Sequence, residues 1–195
     1  MGFEVGISIL NTLNSMNHLN KEIVNYLSAK FYEMTTITQK PIPNELSNLC
    51  ILLEGLAFQK HKPIFWDELK VRFSDPRFLK FGTKMLYEMA FYLAILDFYN
   101  VDILKKIFKS DVDISHDFHI LETFCNLWQK LQTIPNYSGP LPSETQLKSL
   151  RMLSINKEST EVSNLFEKLL GGPEYLKRKV WTKYYHRIGK IFDLD

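Results

Sequence analysis

A chain of 195 residues with 45% apolar content, 14 Phe, 9 Tyr and 3 Trp holds enough material for a real core, which excludes a disordered protein. At that length one domain, or one domain with part of another, is expected. A formal net charge of +2 is too small to indicate nucleic acid by itself, and the longest unbroken apolar run, MAFYLAIL at 89–96, falls well short of the roughly 20 residues of a membrane span.

The N-terminal MGFEVGISIL has neither the Arg-rich character of an organelle transit peptide nor a basic segment followed by an apolar stretch. It opens Met-Gly, but Gly6 stands where a myristoylation signal needs Ser or Thr. The protein is expected either to stay where it is made or to have its targeting segment outside this chain.

Three 19-residue stretches then align on their final Phe: LNSMNHLNKEIVNYLSAKF (13–31), GLAFQKHKPIFWDELKVRF (55–73) and AFYLAILDFYNVDILKKIF (90–108). Leu27, Leu69 and Leu104 coincide, as do Met16, Phe58 and Leu93, and Val24, Trp66 and Val101. The offsets of 42 and 35 residues lie in the range of helical-hairpin repeats, so each stretch predicts two helices with a break between them. In the second unit Leu46, Leu49, Leu53, Leu56 and Ala57 keep helical spacing, as do Phe65, Leu69 and Phe73 after a break at Lys62-Pro63, with Pro63 expected to open the second helix. The third unit predicts a helix over 84–97, a turn near Asn100 and a helix ending at Phe108. One hairpin cannot cover its own apolar side, so stacking into a short α-solenoid is expected.

A further helix over 120–131 aligns Leu121, Phe124, Cys125, Trp128 and Leu131 on one face. Cys50 and Cys125, both flanked by apolar residues, are expected as buried thiols of a reducing compartment. IPNYSGPLP at 134–142 can be neither helix nor central strand. Helical patterns follow at about 143–153 and 160–170, the latter stopped by Gly171-Gly172-Pro173. The chain then changes character. In VWTKYYHRIGKIFDLD, Val180, Thr182, Tyr184 and His186 take one alternation, Trp181, Lys183 and Tyr185 the other, with Gly189 as a break. The fold class is therefore mostly α: a short α-solenoid of helical hairpins with a small C-terminal β-hairpin or α/β element. Its parts are a helical-repeat region (1–134), a Pro/Gly boundary loop (135–142) and a C-terminal element (143–195).

Recognised catalytic motifs are absent. Gly171-Gly172 is followed by Pro and lacks the Lys and Ser/Thr of a phosphate loop, and no part of the protein-kinase signature set is found. His116, His119 and Cys125 form an H-x2-H-x5-C array, but Cys125 belongs to the apolar stripe and trusted zinc patterns pair four ligands, so no metal is expected. Positive charge is concentrated late. From Gly171 onward six basic residues face three acidic ones, a net +3, against −1 for everything before. Tyr175, Trp181, Tyr184 and Tyr185 interleave with Lys177, Arg178, Lys179, Lys183 and Arg187, and rings for base stacking beside cations for phosphates are what single-stranded RNA binding uses.

NYSGPLP (136–142), directly after LWQKLQTIP, is similar to the E-x-P-E-Y-x-G-P-x-L-P segment of the FAST kinase domain family. The tail from Gly171 resembles that family's second FAST subdomain, with Thr182, Tyr184, His186, Ile188, Phe192, Leu194 and Asp195 in comparable places, and the stretch from Leu46 to Leu131 is similar to the first subdomain and its preceding repeats. The chain departs from the pattern before Pro135, where the usual acidic residue is missing, and at Lys190, where an acidic residue is usual, so metal-binding carboxylates are not carried over. The resemblance implies a protein of the mitochondrial matrix that binds RNA and acts in processing, stability or translation of organellar transcripts. It also implies a RAP domain, a small α/β module, continuing beyond the tail. It does not imply kinase activity.

The expected function is a non-enzymatic RNA-binding module with single-stranded RNA as partner, other RNA-processing proteins as further partners, and no cofactor, metal or membrane. Its expected contact residues are Lys177, Arg178, Lys179, Lys183, Tyr184, Tyr185 and Arg187. The competing readings are a helical scaffold that binds protein, and part of an RNA nuclease completed by a downstream domain, with Asp193 and Asp195 as metal-facing carboxylates.

Overall fold

The computed structural model describes residues 2–18, 20–109 and 117–150, residues 165 and 168–169, and the backbone of 176–181 and 187–192. Three helices in the first part of the chain, α1 (Phe3–Ser15), α3 (Glu45–Phe58) and α5 (Thr83–Ile95), end in the same way. Asn17, Lys60 and Asp97 take left-handed backbone with φ of 52°, 46° and 54°. The next N–H, of His18, His61 and Phe98, reaches back to the carbonyl of Leu13, Leu56 and Leu93 at 2.9, 3.0 and 3.0 Å. This closure satisfies carbonyls that a helix end leaves open and reverses the chain. A second helix follows each: α2 (Lys21–Tyr32), α4 (Trp66–Phe73) and α6 (Val101–Lys109).

Side chains start two of these second helices. Asn20 Oδ1 accepts from the Ile23 N–H at 3.0 Å, and Asn100 Oδ1 accepts from Asp102 and Ile103 at 3.0 and 3.1 Å. Pro63 does not open α4. Its carbonyl accepts from the Trp66 N–H at 3.0 Å, so Pro63 lies in the turn that leads into the helix.

The aligned second helices pack as their sequence spacing requires. Leu27, Leu69 and Leu104 and likewise Phe31, Phe73 and Phe108 are all at most 3% exposed. The alignment of the first half fails. Met16 is 69% exposed and Phe58 half-buried where Leu93 is fully buried, and Val101 is exposed where Val24 is buried. Linkers of unequal length cause the slip: the helix ends make Leu13, Leu56 and Leu93 equivalent, at 14, 13 and 11 residues before Leu27, Leu69 and Leu104.

The chain divides into two units, Met1–Ile107 and Phe108–Asp195, the division falling in the last turn of α6. In the first unit α3 packs against both α1 and α5, and α2 against α1 and α3. The approach of α1 to α3 depends on Gly55, where a Cβ would come within 3.0 Å of Leu10 Cδ1 and 3.3 Å of Asn14 Oδ1. α2 runs on into a π-helical turn, Glu33–Ile37, in which the Thr38 N–H donates to Glu33 O at 2.9 Å.

In the second unit α7 (Phe118–Gln132) is capped by Asp117, which accepts from His119 and Ile120 at 3.0 and 3.1 Å. Leu121, Phe124, Leu127, Trp128 and Leu131 are buried, with Phe108 edge-on to Phe124 and Trp128. Cys125 is half-buried at the margin of this stripe, not inside it. The Pro/Gly segment forms the loop between α7 and α8 (Glu144–Leu150). Within it the Tyr137 hydroxyl donates to Pro140 O at 3.0 Å and its ring covers Gly139, where a Cβ would force the ring to shift. Ser143 and Gln146 then form a reciprocal capping box. Farther on, β1 (Leu176–Trp181) pairs antiparallel with β2 (Arg187–Phe192). Gly189 lies within β2 and does not break it. Among the described residues the protein is mostly α-helical, and no helix is long and apolar enough to cross a membrane.

Candidate functional site

Four of the seven sequence-predicted contact residues lie on the strand ladder. Its register is Leu176 to Phe192, Lys177 to Ile191, Arg178 to Lys190, Val180 to Ile188 and Trp181 to Arg187. Residues alternate between faces along a strand. Alternation therefore assigns Lys177, Lys179, Trp181 and Arg187 to one face, together with Gly189 and Ile191. Arg178 and Lys190 share the other with Leu176, Val180, Ile188 and Phe192. Alternation thus separates Arg178 from the two lysines that flank it in sequence, and the register adds Arg187 to the face of the lysines. Lys183, Tyr184 and Tyr185 lie outside the described residues, as do His116, Asp193 and Asp195.

A second site, absent from the sequence expectations, lies in the first unit. A cavity of about 270 Å³ is lined by Asn11 of α1, by Ser47, Cys50, Ile51 and Glu54 of α3, and by Met85, Glu88, Met89 and Tyr92 of α5. Glu54 is its anchor. Oε2 accepts from Asn14 Nδ2 and Oε1 from the Tyr92 hydroxyl, each at 3.0 Å, while Asn14 Nδ2 also reaches Ile51 O at 3.0 Å. One carboxylate thereby joins the three helices that begin the hairpins. Glu88 lies near Lys84 of its own helix, at 4.0 Å.

The two carboxylates leave their mark on neighbouring groups. Burial, reinforced by the negative charges of Glu88 and Glu54, pushes the Cys50 thiol up to about 12. The Tyr92 hydroxyl is held well above the ordinary phenol range by burial and then by Glu54. A thiol so raised is a poor nucleophile, so Cys50 is not poised for covalent chemistry. Cys125 is raised as well, by burial and Glu122. Among the described residues no group of three or more His, Cys, Asp or Glu side chains could hold a metal ion, and His119 stands on α7.

A sequence signal for the cavity did exist. Phe3, Ile7, Leu10 and Asn14 follow one helical stripe, and the first three are core. A polar residue continuing such a stripe marks a buried hydrogen bond awaiting its partner. Comparison of the chain with family models, curated proteins and solved structures finds no match.

Proposed function

We propose that this protein is a non-enzymatic module that binds single-stranded RNA, with the β1–β2 ladder as its contact element and mitochondrial transcripts as its class of target. The observation that carries this reading is the ladder register, which groups Lys177, Lys179 and Arg187 with Trp181 on one face. Three cations in reach of a phosphate backbone and one ring for a base are the elements of sequence-tolerant recognition. The family resemblance of NYSGPLP and the tail supplies the mitochondrial setting.

The helical part acts in this reading as a short α-solenoid. Three hairpins with one turn geometry, first helices that pack in chain order, and a Lys62 to Asp97 ion pair of 3.2 Å from one turn to the next support it.

The test is fluorescence anisotropy of a labelled single-stranded RNA. Three phosphate contacts correspond to a log–log salt slope of about −2, a loss of roughly twentyfold in affinity between about 50 and 200 mM salt. Combined reversal of Lys177, Lys179 and Arg187 to Glu abolishes binding, whereas Arg178→Glu with Lys190→Glu weakens it far less. Equal losses in both variants, or no binding by the parent chain, refute the proposal.

A further inference from the structure

The acidic cavity calls for an occupant of opposite charge. The side chains that line it include two carboxylates, Glu54 and Glu88, the latter 4.0 Å from Lys84 of its own helix, and no basic group. Its other walls combine the aliphatic Ile51, Met85 and Met89 with Asn11, Ser47, Cys50 and Tyr92. Aliphatic side chains beside carboxylates match a side chain with a methylene stem and a charged head, the form of Lys and Arg. Glu54 narrows the choice. Each of its oxygens accepts one hydrogen bond, Oε2 from Asn14 and Oε1 from Tyr92, and a carboxylate offers about four lone-pair positions. One position per oxygen is left for a planar fork of two donors, the geometry a guanidinium presents.

We infer that the cavity between α1, α3 and α5 is a recognition pocket for a basic side chain of a partner protein, arginine preferred, with Glu54 as the pairing carboxylate and Glu88 as a supporting charge. The volume suits this size of occupant. At about 270 Å³ it lies just below the usual range for drug-sized ligands, large enough for one long side chain. The donors from Asn14 and Tyr92 hold Glu54 in one orientation before the partner arrives, so little ordering is left to binding. The pocket belongs to the first unit and the basic ladder to the second.

The chain has six methionines, and two of them, Met85 and Met89, line the pocket. The experiment is a titration of the whole chain, labelled with 13C at the methionine methyls, with N-acetyl-arginine methylamide. The lysine amide, the citrulline amide and agmatine serve as comparisons. The expected result is a saturable shift of the Met85 and Met89 signals on adding the arginine amide, with a Kd on the order of millimolar and a weaker response to the lysine amide. Citrulline, isosteric but neutral, leaves both signals in place. Glu88→Gln weakens the arginine response by several fold while leaving the fold intact.

Absence of a shift with either cation up to tens of millimolar, or an equal shift with citrulline, overturns the pocket assignment. Tighter binding of agmatine than of the arginine amide identifies a free-amine site and overturns the partner-protein assignment. RNA affinity enters neither outcome, so failure here is distinct from failure of the RNA-binding proposal.

Discussion

Asn14 offers the sharpest test of how the first unit is held together. It is 5% exposed, and its one amide group serves both a backbone carbonyl of α3 and the Glu54 carboxylate. Truncation to Ala removes a neutral bond of about 1 kcal/mol and a charge-assisted one of about 1.5–3 kcal/mol. Better helix propensity returns about 0.5 kcal/mol. The net expectation is a loss of about 2–3.5 kcal/mol, or a melting temperature lower by roughly 10 °C for a unit of this size. Circular dichroism melts read this directly, and Asn11→Ala, one turn earlier and exposed, serves as the control with a change near zero. Asn14→Asp sharpens the test. It brings a second carboxylate to hydrogen-bonding distance of Glu54, and like charges so close raise the pKa of the pair. A raised folded pKa contributes stability that is present at low pH and lost as pH rises, so this variant recovers toward the parent as pH falls from about 7 to 5. A melt of Asn14→Ala within about 1 °C of the parent, or no acid recovery of Asn14→Asp, would refute the role given to this seam.

Urea unfolding should show Leu27→Ala and Leu69→Ala each costing about 2–5 kcal/mol, whereas Val101→Ala, at an exposed site, stays within about 0.5 kcal/mol. Cys50 should resist iodoacetamide at about pH 8.5 until the chain is unfolded, because its thiol is pushed up to about 12. The same shift makes stability fall as pH rises beyond the ordinary thiol range, where only the unfolded thiol ionises, and Cys50→Ser should flatten that alkaline slope. The side-chain bond from Arg77 holds the Asp75 carboxyl below its ordinary range, so its contribution is present above about pH 4 and lost on further acidification. Asp75→Asn should therefore reduce the steepness of acid unfolding.

The helical class and the burial of the second helices are legible in the sequence, because both are local: Leu27 and Phe31, Leu69 and Phe73, and Leu104 and Phe108 are each four residues apart, about one helical turn. The loop between α7 and α8 is legible there too, since the Pro and Gly residues of 134–142 exclude regular structure whatever surrounds them. The first helices were misaligned because counting back from a shared Phe assumes linkers of equal length, and only the left-handed residues at Asn17, Lys60 and Asp97 mark where each turn falls. Tertiary structure alone decided the rest. Asn14, Glu54 and Tyr92 are about forty residues apart and meet only when α3 has α1 and α5 as neighbours, with Gly55 allowing the close approach. Which residues of β2 share a face with Lys177 and Lys179 depends on strand register, because pairing one residue out of step would exchange the faces of an entire strand. Periodicity reports what each element hides, but a cavity and a charged face are properties of the spaces between elements, which exist only once the chain has packed.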